Sequence, residues 1–503
     1  MNEILGKKDL KYKIPLILKV ASPIHIGSRE GSLRTTDFIL HKGKTYVIDE
    51  DKFCEFLQDH NLIDDFVDSV SSGFRSIAEY LKGKDVRDLD KNIRDIALRS
   101  IRGGEDRMRD FRPFVRDAHG QVFIPGTSIK GTLRTSLLHG ILSGDPGLRG
   151  EKESWVEDNL RQLSSGKRGK RGKEKKQFSY KILQRDILQN FRIPGTGQKD
   201  GPNRDILRCL TVRDAYPIDH QEIKSKLIKL QFLSKNASGE VYWSKQEESG
   251  RPLEVWVEAV VAGRFRTELI MDMQLFDHFK TEDRYIKDLN DLMRYVGDMN
   301  KSIFDHEKKH FSEYTKPKSP DARDAAQSLY TWYEKQQGSF LRIGFGSGML
   351  STTVDEVFSP GIRTEIRNIF GHNRGNDPAP KTRRVWLGEN NQWAPMGWMR
   401  FSQREDHTTN AVQRKEPVPV VEEIWENATL EWRAQDATVV ARVENRRAFG
   451  KGKELIPDSM HNRLINRRKN VKAKITVVQK GNSFVIFAFT FLRLLINRRK
   501  NVK

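Results

Sequence analysis

Cysteine is nearly missing: Cys54 and Cys209 are the only two in 503 residues, far apart and outside any C-x-x-C spacing. That excludes a disulfide framework and a cysteine zinc site, and it fits a reducing, cytoplasmic setting. Long apolar runs are missing too. The most apolar stretch, 484 to 495, is interrupted by Thr490 and Arg493; it falls far short of the ~20 residues that cross a bilayer and reads as buried strand, with no membrane partner. The N-terminal MNEILGKKDLKYK is charged throughout and has no apolar core of a secretory signal. Acidic residues are the minority, 68 Asp and Glu against 89 Lys and Arg, for a formal charge of +21. Such a field favours polyanionic partners, nucleic acid first among them, although charge says nothing about fold.

The length exceeds one ordinary domain and the apolar content is enough to bury real cores. Lys13 to Val20 predicts a strand, and Asp37 to Ile48 a hairpin turning at His41-Lys42-Gly43-Lys44. From 51 to about 110, Phe53, Phe56, Leu57, Leu62, Ile63, Phe66 and Val67 recur at helical spacing, which predicts a helical insertion. Gln121 to Ile124 reads as a strand leading through Pro125-Gly126 into a helix capped near Thr127 or Ser128. Residues 164–177, SSGKRGKRGKEKKQ, have almost no apolar content and predict a mobile basic loop. Glu254 to Val260 and Phe265 to Met273 read as strands joined at Gly263, and about 281–340 as helical. A linker at 403–418 and the Pro-rich PVPVV at 417–421 set off a C-terminal module at 419–503 that is mainly β, its role open. That module holds LINRRKNVK twice, at 464–472 and 495–503, with dissimilar flanks. True structural repeats diverge and carry their hydrophobic frame with them, so this points to a recent duplication or an assembly fault, and 495–503 is not read as a functional element.

Three segments carry chemistry. In IPGTSIKGTLR at 124–134, Ile129, Leu133, Leu137 and Ile141 form an apolar seam beside the basic pair Lys130 and Arg134. A helix N-terminus offers free N–H groups and partial positive charge, so this turn reads as a phosphate site with a point charge and a guanidinium fork. Earlier, Ser22-Pro23-Ile24-His25-Ile26-Gly27-Ser28 ends the first strand in a small-residue loop. Later, Arg342-Ile343-Gly344-Phe345-Gly346-Ser347-Gly348 makes a second loop where backbone approaches a ligand closely. A dinucleotide fingerprint is excluded because the third glycine comes one residue early and MLSTTV is a poor helix start.

Taken in order, HIGS, IPGTSIKGTLRTSLL and RIGFGSGMLS resemble the RAMP superfamily of CRISPR proteins. DFILHKGKTYVID, LTVRDA, VWVEAVVAG and APMGWMRF further resemble the fifth, guide-capping subunits of type III-A Csm complexes, over roughly residues 10–402. The resemblance implies an α+β chain: a ferredoxin-like, RNA-recognition-type body over 1–402 with helical insertions, plus the small β-rich module. It implies a subunit without a nuclease centre, metal or cofactor that holds the 3′ portion of the guide RNA (crRNA) and assists its maturation. The implied partners are that RNA, the backbone RAMP subunit, the small subunit and, in the assembled complex, target RNA. Carried over, the RNA contacts are His25, Ser28, Lys130, Arg134, Arg342, Gly344, Gly346 and Gly348.

Catalytic alternatives have specific tests. In the backbone subunits of such complexes an aspartate after the first strand serves target-RNA cleavage, and Asp37 lies in the corresponding region; its run into FILHKG favours a strand-edge residue. His25 as general acid or base lacks an evident second base. His306-Glu307-Lys308-Lys309-His310 matches H-E-x-x-H, but its two lysines and polar surroundings predict a solvated helix instead of a zinc site.

Overall fold

A computed structural model describes residues 11–84, 88–165, 187–189, 202–246, 249–278, 286–313, 316–370, 375–377, 379–403, 422–467, 469–480 and 483–490. Helix and strand are mixed throughout. The chain divides into two units, Met1–Asp406 and His407–Lys503. Most of the expected basic loop, the linker, PVPVV and the second LINRRKNVK lie outside the described residues.

In the first unit, the opening strand Lys11–Val20 alternates: Ile14, Leu16, Leu18 and Val20 are buried. It is the centre of a six-stranded antiparallel sheet. On one side stand Trp398–Ser402 and then Phe340–Arg342; on the other stand Arg264–Asp272 and then the short strands Leu210–Val212 and Tyr216–Pro217. The helix Gly126–Gly144 connects the first strand to the Leu210–Val212 edge, and the helix Leu289–Ser312 lies between Arg264–Asp272 and the opposite edge. The predicted seam is buried: Ile129, Leu133, Leu137 and Ile141 pack with Leu16, Leu18, Phe265 and Leu269. The two helices meet at Gly140, where a Cβ would stand 2.0 Å from the Tyr295 ring.

A second, nine-stranded sheet is organised around Lys224–Lys235. Residues 230 and 231 pair both with Glu254–Ala262 and with Thr382–Leu387, so these two strands take opposite edges. The hairpin Phe38–His41 and Lys44–Ile48 joins through Ala97–Arg102, and it turns at Lys42 and Gly43, both with positive φ. Four helices between Glu50 and Asp95 pack Phe53, Phe56, Leu57, Ile77 and Leu81 against Ile39 and Ile48. The expected helical insertion therefore ends near 95 and is followed by strand, not helix.

Two further expectations differ. Residues 121–124 make only isolated bridges, Val122 to Arg116 and Ile124 to Ala215, because the chain there crosses between elements instead of running along one. Gly263 is no turn either: Glu254–Ala262 belongs to the second sheet and Arg264–Asp272 to the first. At the crossing Gly263 has φ +137°, and a Cβ would meet Ile223 at 2.5 Å.

In the second unit five strands form a closed barrel around Trp425, Leu430, Val439, Ala441, Ile475, Val477 and Ile486. The first LINRRKNVK is structural there: Leu464 is buried in this core and Val471 opens a strand.

Candidate nucleic-acid interface

The loop after the first strand is pinned at both ends. Ala21 and Ser22 donate their N–H groups to the Trp398 carbonyl at 3.0 Å, and Ser22 Oγ accepts from Trp398 N–H at 3.0 Å. His25 turns inward and is 1% exposed. Its Nδ1 lies 2.7 Å from the Glu258 carbonyl, which can only accept, so Nδ1 carries the proton. Burial pushes this imidazole below its ordinary value despite that bond, so the ring is neutral near pH 7. The rings of Phe114 and Phe345 stand edge-on to it at 6.2 and 5.9 Å.

The glycine-rich loop docks directly on this strut. Phe345 N–H donates to the His25 carbonyl at 2.8 Å. Gly344 has φ +83°, and a Cβ there would stand 2.3 Å from the same carbonyl oxygen. Only glycine fits that contact. The loop therefore presents Phe345 at a fixed position against the second sheet, beside Ile228, Leu230 and Val257.

Around Phe345 the structure gathers a ladder of cations and rings. Arg112 lies 4.5 Å from the Phe345 centroid and Arg384 lies 4.8 Å from it. Arg384 also stands 5.3 Å from Phe232, its cross-strand partner. Two residues along the same strand, Trp386 carries Lys226 at 4.7 Å. Alternation puts Lys226, Phe232, Arg384 and Trp386 on one sheet face. Each cation–ring contact contributes about 0.5–2 kcal/mol, more where water is excluded. Burial lowers the Arg384 pKa, and the like charge of Arg112 adds to this. No described carboxylate pairs with Arg112 or Arg384, and Arg384 Nε is buried without a hydrogen-bond partner. An unspent guanidinium between two rings suits a phosphate with a base beside it.

Below the ladder, Glu258 organises the base. Its carboxylate is fully buried, accepts from Phe114 N–H at 3.0 Å, pairs with Arg116, and has Arg99 at 3.9 Å. This network fixes the segment that carries Arg112.

The residues expected from sequence divide into two groups. His25, Gly344 and Gly346 come together, with His25 serving as a strut under the loop; Gly348 caps the short helix that follows. Ser28 is half-buried nearby and its Oγ accepts from Glu30 N–H at 3.2 Å. Arg342 is 4% exposed: Nε donates to the Met396 carbonyl at 3.0 Å, and the guanidinium lies over Trp398. Lys130 donates to the Leu210 carbonyl at 2.6 Å, and Arg134 pairs with Asp205. The helix N-terminus is also occupied, since Gly126 N–H donates to Asp214 Oδ1 at 2.7 Å. In place of Thr127 or Ser128, a carboxylate from 88 residues away caps this helix. The ladder residues were missed because Arg112, Phe232, Phe345 and Arg384 lie on four distant segments. The local signals were the basic–aromatic clusters FRPFVR and KTRRVW.

Asp37 closes its own turn, accepting from Arg34 N–H at 2.7 Å and from Thr36 Oγ1 at 2.8 Å. Among the described residues no three His, Cys, Asp or Glu side chains gather as metal ligands. The expectation of a solvated H-E-x-x-H helix needs correction: Glu307 is 2% exposed and bonded to Arg383 Nε at 2.7 and 3.0 Å. Burial alone would raise its carboxyl, but Arg383 and Arg342 outweigh it and hold it below the ordinary value. The carboxylate is spent on a buried ion pair.

Comparison with known proteins follows the same lines. The RAMP superfamily model matches residues 17–349. The chain belongs to the RAMP superfamily. It shares its fold with a chain of the cryo-EM Csm–crRNA–target RNA ternary complex of a type III-A CRISPR-Cas system: TM-score 0.53, 19% identity, 78% of this chain and 100% of that one covered. The crystal structure of Csm5 from T. onnurineus aligns with TM-score 0.47 and 18% identity over 76% of this chain and 99% of that one. No curated protein matches the sequence. The RAMP match stops before the second unit and before Arg384. Among the described residues no helix is long and apolar enough to cross a membrane.

Proposed function

We propose that this RAMP protein is a non-catalytic, cytoplasmic RNA-binding subunit of a type III-A CRISPR interference complex, holding the 3′ end of the guide RNA. The observation that carries the RNA-binding reading is the Arg112–Phe345–Arg384–Phe232 ladder, an aromatic–cation stack with no neutralising carboxylate among the described residues. Superfamily membership and the fold shared with a chain of a Csm–crRNA–target RNA complex support the assignment to such an assembly. The backbone and small subunits of that assembly are the partners proposed.

The body reads as ferredoxin-like. Its strands in chain order, Lys11–Val20, Leu210–Val212, Arg264–Asp272 and Trp398–Ser402, lie side by side as fourth, first, third, second, with helices in the first and third connections. A non-catalytic role fits the engagement of the Asp37 carboxylate in its own turn.

Labelled CRISPR repeat–spacer RNA, incubated with the full chain across a salt series with magnesium or with chelator, tests this reading. Salt-sensitive binding with intact RNA under both conditions is expected. Magnesium-dependent cuts abolished by Asp37→Ala would replace it with a RAMP ribonuclease.

A further inference from the structure

The second unit lies beyond the family match, and its connectivity is informative. Its strands in chain order are Glu422–Arg433, Thr438–Val443, Arg446–Lys451, Val471–Lys480 and Ser483–Thr490. Counted one to five, they close in the order 1-2-3-5-4, with the first strand against the fourth. All pairs are antiparallel except the third and fifth, which are parallel. Short helical segments, Asp458–His461 and Asn462–Asn466, fall between the third and fourth strands. This is the connectivity of the OB-fold barrel, which takes ligands on the face of its second and third strands.

We infer that this face is a second polynucleotide site, binding a single strand by stacking a base on Phe449 and holding phosphates with Arg447 and Lys451. Alternation decides which side chains face out. Val439, Ala441 and Ala448 enter the barrel core, so Thr438 and Arg442 on the second strand and Arg447, Phe449 and Lys451 on the third point outward, with Val440 between them fully buried. Phe449 pairs with Val440 and is 41% exposed, an aromatic ring left in solvent at the middle of the face. Cations flank it on both sides: Arg442 pairs with Arg447 in one row, and Lys451 with Thr438 in the other.

Arg442 is held by Glu431 at 2.8 Å, whereas no described carboxylate pairs with Arg447 or Lys451. Across 422–490, thirteen Lys and Arg stand against eight Asp and Glu. Charge complementarity selects a polyanion from the ligands an OB barrel takes, and the exposed ring selects unstacked bases over duplex. RNA and single-stranded DNA share this chemistry.

The test is photocrosslinking of the full chain to thio-substituted oligo(U) or oligo(dT) of about 16 nucleotides, the upper size of one OB site, with adducts mapped by mass spectrometry. Adducts on the 446–451 segment are expected, and Phe449→Ala should lower their yield about tenfold while adducts on the first unit persist. Because Phe449 is exposed, its removal leaves the core intact, and an unchanged melting temperature checks this. Adducts with only one polymer assign the strand as RNA or DNA. Adducts confined to the first unit with both polymers, or equal barrel yields in Phe449→Ala, would overturn the inference and leave the ladder proposal standing.

Discussion

The carboxylate of Asp214 sits 2.7 Å from the backbone N–H of Gly126, on the first turn of the helix that sequence marks as a phosphate holder. A helix N-terminus stabilises an anion there, and here the protein supplies its own. Asp214→Ala should destabilise the chain by ~0.5–2 kcal/mol, the ordinary cost of a lost cap. Added inorganic phosphate should then raise the melting temperature of the variant more than that of the parent, which thermal melts with and without phosphate would check.

Gly140 and Tyr295 set the distance between the two main helices. With a Cβ 2.0 Å from a ring carbon, Gly140→Ala forces the helices apart. Overpacking of this kind costs about 1–3 kcal/mol, and denaturant midpoints should fall accordingly. Gly131 on the same helix has open space around it, so Gly131→Ala should be neutral or stabilising.

Arg383→Ala leaves Glu307 charged and buried. A loss of ~3–5 kcal/mol is expected, whereas the double variant Glu307→Leu with Arg383→Leu should recover most of it. Equal losses in the single and double variants, measured by chemical denaturation, would contradict the ion-pair account.

Burial pushes His25, His306 and His310 below the ordinary imidazole value, with nearby cations adding to the effect. Below about pH 6.5 the unfolded chain therefore binds protons that the folded chain does not. This contribution to stability is complete above that pH and is lost as pH falls toward the depressed folded values. Melting temperature should drop between about pH 7 and pH 5, and His310→Gln should flatten the drop. Arg383 and Arg342 hold the Glu307 carboxyl below its ordinary value, so its contribution is lost only as pH falls below the ordinary carboxylate range.

Arg112→Ala and Arg384→Ala should each weaken RNA binding and reduce the salt slope by about one unit. Lys130→Ala and Arg134→Ala should leave the slope nearly unchanged, because their charges already meet Leu210 and Asp205. Fluorescence anisotropy across a salt series separates the two pairs.

The contrast between these pairs marks how far sequence reaches. Local patterns carried well: the alternation of Lys11–Val20, the Lys42-Gly43 turn and the buried seam from Ile129 to Ile141. What local patterns could not show were partners remote in the chain. Lys130 and Arg134 looked free because Leu210 and Asp205 lie more than 70 residues later. Lys308 and Lys309 made their helix look solvated, yet Glu307 between His306 and Lys308 turns inward to meet Arg383. The strand Lys224–Lys235 was not read at all, since its edges are completed by segments on either side of it in sequence. The OB connectivity likewise needs the pairing of the third strand with the fifth, which no local pattern records.

Gly263 joins two sheets with a single residue. Strand side chains repeat every two residues, so one inserted residue would turn Phe265, Leu269 and Met271 from the core to the opposite face. The joint has no slack to absorb such a change. Length at this point is therefore as constrained as residue identity: homologues should vary in their loops by insertion and deletion while keeping the spacing from Glu258 to Phe265 constant.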